Sequence, residues 1–151
     1  MLVALTAAAL LLPTHSASAA AATLYVGGSG CSNSGPGSES QPFCTISAAS
    51  SAAVAGQTVQ VSSGVYAEAV TVARSGTAAA PIVFTTAPGA SATVTGGTFG
   101  FKTSSRSWVT IIGFDITQTS GNGIHVSSSS NIDIQGVTVT GTTGHGIYVS
   151  N

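Results

Sequence analysis

The stretch Asn131-Ile-Asp-Ile-Gln-Gly-Val-Thr-Val-Thr140 lies over Trp108-Val-Thr-Ile-Ile-Gly-Phe-Asp-Ile-Thr117 with no gap, 23 residues later. A second set recurs at the same interval: Thr98-Phe-Gly-Phe-Lys-Thr103, Gly121-Asn-Gly-Ile-His-Val126 and Gly144-His-Gly-Ile-Tyr-Val149. Apolar residues alternate inside each unit. Val109, Ile111, Phe114 and Ile116 correspond to Ile132, Ile134, Val137 and Val139, and Phe101 corresponds to Ile124 and Ile147. A period of two marks short strands with one buried face. Gly113 and Gly136 break the alternation at one place, where the chain bends into another strand. Such a unit cannot bury its apolar side alone, but copies stacked in register form a continuous core of like residues in ladders. An antiparallel sandwich also uses short strands and glycine turns, yet gives no reason for a gapless register. The reading is an all-β parallel solenoid of about 23 residues per coil.

Upstream the register loosens while the idiom persists. Thr58–Val61, Ala69–Val72, Ile82–Phe84 and Ala92–Val94 are strand-like, separated by Ser/Gly, Gly/Thr and Pro/Gly turns. Thr45 to Ala55 is the one helical candidate, with Thr45 or Ser47 as N-cap and Gly56 as stop. A helix there would plug the open end of the solenoid and protect its first edge. Residues 23–56 are therefore expected to be a cap and 57–151 the coils. Ser150-Asn151 repeats Ser130-Asn131, the lead-in to another pair of strands, so further coils are expected beyond.

Residues 1–22 read as a secretory signal. An apolar run over residues 2–12 is followed by Pro13 and small residues, although no Lys or Arg precedes it. Cys31 and Cys44 lie in a Gly/Ser/Pro-rich loop, and in an exported chain such a pair reads as a structural disulfide. The expected location is extracellular, with no membrane attachment after signal cleavage. Charged residues make up 5% of the chain and the net charge is −1, with no basic stripe, which argues against nucleic acid as a partner.

The stretches Thr23–Val26, Gln41–Ile46, Gly56–Val59, Gly64–Tyr66, Ser75–Thr77 with Pro81-Ile82, and the coils from Val109 onward resemble the pectate-lyase-like superfamily of right-handed parallel β-helix proteins. The resemblance covers nearly all of the chain after residue 22. It is specific for fold and weak for activity, because the superfamily holds lyases, hydrolases, epimerases and proteins with no known catalysis. Resemblance to its enzymes implies acidic polysaccharide as partner. In its lyases, calcium held by Asp or Glu acidifies a C–H beside the uronate carboxylate, and an Arg or Lys removes the proton. Lyases with an Asn-aliphatic-aromatic-Ile-Asp-His stretch use its Asp as a calcium ligand. Here Asn131–Gly136 carries Gln135 at that place, which puts a calcium site in these coils in doubt.

The 23-residue register sorts outward residues into columns. Lys102, His125 and Tyr148 share one, and together could bind a uronate carboxylate and transfer a proton; three tolerated surface residues are the plainer reading. They are the candidate substrate-binding and catalytic residues. Asp115 and Asp133 are the candidate metal ligands, but they fall in different columns, and solvated surface aspartates are the plainer reading. His145 reads as a turn residue, and Arg74 and Arg106 as solvated loop cations. Trp108 and Asn131 share a column expected to be an internal, structural ladder. Ice binding by outward Thr71, Thr93, Thr110, Thr138 and Thr140 is set aside, because no threonine row is expected to be continuous. Two functions remain: an exported polyuronate lyase or epimerase with its centre in further coils, or a non-catalytic extracellular glycan-binding, surface or adhesive scaffold.

Overall fold

Each alternating stretch forms a short strand, and strands of successive coils pair in parallel around a shared interior. The computed structural model describes residues 22–151, so the expected secretory signal, apart from Ala22, and His15 lie outside the described residues. One side of the solenoid is a five-stranded parallel sheet of β1 (Thr23–Val26), β2 (Thr58–Val61), β4 (Ile82–Thr86), β6 (Ser107–Ile112) and β9 (Ser130–Gln135), with β3 (Gly64–Thr71) following β2 in the chain. The other two sides are joined by one long strand, β5 (Ala92–Ser104), which bends at Gly96 (φ 74°). Its first half pairs with β7 (Asp115–Thr117), and β7 pairs with β10 (Thr138–Thr140). Its second half pairs with β8 (Ile124–Ser127), and β8 pairs with β11 (Ile147–Ser150). β3 pairs with both halves through a register shift between Glu68 and Val70. The whole makes about four turns of about 24 residues.

Three inward ladders fill the interior. Leu24, Val59, Phe84, Ile111 and Ile134 stack on the first side. Tyr66, Val94, Ile116 and Val139 stack on the second, and Val70, Phe101, Ile124 and Ile147 on the third. Phe101 meets Phe114 at a centroid distance of 4.9 Å and Phe84 at 5.9 Å, in the tilted and edge-on geometries that aromatic rings favour. All three rings are fully buried, each contributing about 1.5–3 kcal/mol by removal from water.

The corners repeat as the strands do. Gly113 and Gly136 take φ of 78° and 56°, confirming the bend expected there. Ser105 and Ser128, Trp108 and Asn131, and Gln118 and Gly141 are also left-handed pairs at matching places in successive coils. The Trp108/Asn131 pair corrects one expectation. The register joins Ser107 to Ser130 and Val109 to Ile132, while the left-handed backbone between them turns Trp108 and Asn131 outward. They are exposed, not an internal ladder.

A helix, α1 (Ile46–Ala52), packs on β1, β2 and β3 with Ile46, Ala49 and Ser50 buried. Its free amides are all accounted for, as buried or half-buried backbone requires. Thr45, the N-cap, accepts from Ala48 N at 3.2 Å. The Glu68 carboxylate accepts from Ile46 N at 2.8 Å and Ser47 N at 2.9 Å, and also from the Ser47 hydroxyl. At the other end Arg74 Nη1 donates to the carbonyls of Ala52 and Ala53, each at 3.1 Å. Arg74 thus caps a helix end, where a cation also meets the negative pole of the backbone dipole. The disulfide Cys31–Cys44 closes the preceding loop, and Asn33 Oδ1 accepts from Cys44 N and Thr45 N. No helix among the described residues is long and apolar enough to cross a membrane.

Candidate functional site

Lys102, His125 and Tyr148 lie in direct register on β5, β8 and β11, with Thr71 of β3 preceding them. Parallel pairing sets them at the strand spacing, ~4.8 Å per coil. The two flanking positions of each strand face inward. Phe101 and Thr103 are buried, as are Ile124 and Val126, so the residue between them must point out. His125 meets Tyr148 edge-on, with ring centroids 5.2 Å apart and planes at 89°. Lys102 Nζ sits 5.7 Å from the centre of the Phe99 ring, within range of a cation–π contact.

The cluster holds a ring that sequence reasoning assigned to a turn alone. His145 is in the turn before β11, where its N–H donates to Asn122 Oδ1 at 2.9 Å. Its imidazole also lies 5.4 Å from the Tyr148 ring. The signal was present in the Gly-His-Gly-Ile-Tyr repeat, since a residue three before Tyr148 across a tight turn returns to the same face. A half-buried lysine thus shares one outward side with two imidazoles and a phenol. An ammonium pairs with a carboxylate, and imidazole and phenol groups hydrogen-bond to hydroxyls while offering aromatic faces.

The other charged groups are engaged elsewhere. Arg106 Nε donates to Val72 O at 3.2 Å and Nη1 to Ser105 O at 3.1 Å, tying one coil to the next rather than standing solvated. Asp115 is in register with Thr93 and Thr138, and its Oδ2 accepts from Ser91 Oγ at 3.2 Å. Asp133, in register with Thr110 on the first side, accepts from Gln135 Nε2 at 2.5 Å. The two aspartates sit on different sides of the solenoid and cannot share an ion. Among the described residues no group of three or more His, Cys, Asp or Glu is gathered.

The threonine rows need a correction. Thr95, Thr117 and Thr140 are in direct register, and Thr117 Oγ1 donates to Thr95 Oγ1 at 3.2 Å, so one row is continuous over three coils. It lies beside a column interrupted by Asp115.

Residues 24–151 match the sequence model of a family described as "Pel9A-like, right handed beta helix region". A solved rhamnogalacturonan lyase superposes with a TM-score of 0.68 at 20% identity, over 81% of this chain and 36% of its own. A solved pectate lyase, Pel9A, superposes with a TM-score of 0.55 at 20% identity, over 72% of this chain and 32% of its own. The chain therefore spans about a third of the length of either structure. At this identity the likeness is one of fold. No match was found among curated proteins.

Proposed function

The chain belongs to the Pel9A-like family of right-handed β-helix proteins, and from that premise we propose that it is an exported protein that binds an acidic polysaccharide along the Lys102–His125–Tyr148 column. The observation that carries the reading is the column itself: a cation, an imidazole and a phenol in strict register along the solenoid axis. A polymer laid along the axis meets them in succession. Lys102 pairs with a uronate carboxylate, while His125 and Tyr148 engage ring hydroxyls and the apolar face of the next sugar. The two structural neighbours are, by name, lyases for rhamnogalacturonan and pectate. The Cys31–Cys44 bond supports export, because disulfides persist in oxidising compartments. Lyase or epimerase chemistry, calcium included, is assigned to no residue of these coils.

The test is calorimetric titration with oligogalacturonates at low ionic strength. Binding is expected to weaken about fivefold in Lys102→Ala, the scale of one exposed ion pair, and to lose part of its salt dependence. Lys102→Arg is expected to retain it. Affinity unchanged in Lys102→Ala sinks the assignment, and absence of binding to any oligouronate favours the scaffold reading.

A further inference from the structure

A cleft of about 470 Å³ opens on the first side of the solenoid, away from the Lys102 column. Its floor is the β6–β9 pair and its wall is the loop ending at Pro81. That loop is held in place: Gly76 N donates to Ser107 O at 2.9 Å, and Ser107 N donates to Ser75 Oγ at 3.1 Å. Trp108, the only tryptophan in the chain, lines the cleft and keeps 36% of its surface exposed. Beside it are the Thr110 hydroxyl, the Asn131 amide and the Asp133 carboxylate, and no cationic side chain is among the described residues that line the cleft.

Two features set this place apart from ordinary surface. Trp108 adopts φ 58°, a region that a bulky side chain rarely enters and that asparagine, its counterpart one coil later, tolerates far better. The left-handed corner itself repeats at Asn131, but here it carries a large aromatic residue that keeps part of its surface open to the cleft, and such outliers gather at binding sites. The polar groups, moreover, line the same cleft from one strand pair, setting the indole beside three acceptors and two donors.

We propose that this cleft is a second carbohydrate site that takes one uncharged pyranose of a glycan. The indole stacks on the apolar C–H face of the sugar. Asp133 and Asn131 hydrogen-bond its hydroxyls, with Thr110 at the edge. The lone carboxylate selects against a uronate, because like charges brought together oppose binding. The site is independent of the Lys102 column, which has the opposite charge and lies on another side.

Trp108 reports on its own site by fluorescence. The full chain is titrated with uncharged tetrasaccharides (galacto-, xylo- and gluco-) and with tetragalacturonate. At least one uncharged sugar is expected to give a saturable change in emission, while tetragalacturonate gives none. Asp133→Ala, at an exposed side chain, should leave circular dichroism unchanged and weaken that binding at least about tenfold. Lys102→Ala should leave it untouched, which separates this site from the one proposed above. The proposal is overturned if no uncharged sugar alters emission up to about 10 mM. It is equally overturned if Asp133→Ala binds as the parent does, or if tetragalacturonate binds here as tightly.

Discussion

Removing the carboxylate of Glu68 should loosen the end of the solenoid where α1 packs. α1 runs only from Ile46 to Ala52, too short to persist in water by itself. Two of its first three amides end on Glu68, at 2.8 and 2.9 Å, together with the Ser47 hydroxyl. A capping interaction contributes about 1 kcal/mol, and a hydrogen bond to a charged group about 1.5–3 kcal/mol. The three share one half-buried group that water can partly replace, so their sum is smaller than the parts. Glu68→Ala should therefore lower unfolding stability by about 2–4 kcal/mol. Glu68→Gln keeps one oxygen acceptor and should lose about half as much, ~1–2 kcal/mol. Urea midpoints measure the total, and hydrogen exchange measures the location: Ala49 N and Ala53 N, bonded within the helix turn, should lose protection first. A loss below about 0.5 kcal/mol in Glu68→Ala, the range of an indifferent surface change, would refute the reasoning, as would unchanged exchange across α1.

Two further outcomes follow from packing. Burial, and secondarily the Glu68 carboxylate, raises the Tyr66 phenol above its ordinary 10.0. The folded state therefore holds this proton more tightly than the unfolded state. The stability linked to it is complete below pH 10.0 and falls as pH rises through the folded value. Urea midpoints followed from about pH 8 to about pH 11 should decline less steeply at the alkaline end in Tyr66→Phe. That variant should also lose about 1 kcal/mol at neutral pH with the 2.9 Å bond to Ser62 O. At Gly123 an added Cβ would stand 2.3 Å from Val139 Cγ1 and 2.5 Å from Gly146 O, whereas at Gly146 the first neighbour is 3.9 Å away. Thermal melts should show Gly123→Ala destabilised by about 1–3 kcal/mol and Gly146→Ala within about 0.5 kcal/mol of the parent; equal effects would contradict the close-approach reading.

What the sequence disclosed was whatever the solenoid repeats at a constant offset. The Lys102–His125–Tyr148 column, the placement of Asp115 and Asp133 in separate columns, and the bends at Gly113 and Gly136 follow from an interval of 23 residues. Where the interval drifts, columns drawn at fixed spacing go astray. Thr95 lies over Thr117 at an offset of 22, before the bend in β5, and so the threonine row escaped notice. Earlier coils run longer, with Thr58 over Val83 and Val83 over Thr110, offsets of 25 and 27. The helix contacts were hidden for another reason. Glu68 and Arg74 look like surface charges on or after a strand, and only the fold brings them to the two ends of α1. Trp108 and Asn131 were aligned correctly and assigned to the wrong side, because backbone handedness, not sequence alternation, decides where a left-handed residue points.

In a solenoid a side chain's neighbours along the axis come from the next coil, so recognition chemistry is set column by column and side by side. Here the two outward surfaces with binding chemistry differ in sign. One centres on a lysine flanked by imidazole and phenol rings, and the other on a carboxylate beside an indole. On the two proposals, an anionic sugar would be drawn to the first and repelled by the second, and an uncharged sugar would lose nothing at the second. A single stiff strand of glycan lying on one side cannot occupy both. A branched glycan with uronates in its backbone and uncharged sugars in its side chains can, provided the branch spans the corner at residues 105–106 that separates the two sides. The second contact would then be intramolecular, and its contribution would depend on branch length more than on its own affinity. If both proposed sites bind, selectivity for branched over linear polymer would arise from the corner of the fold rather than from either site alone.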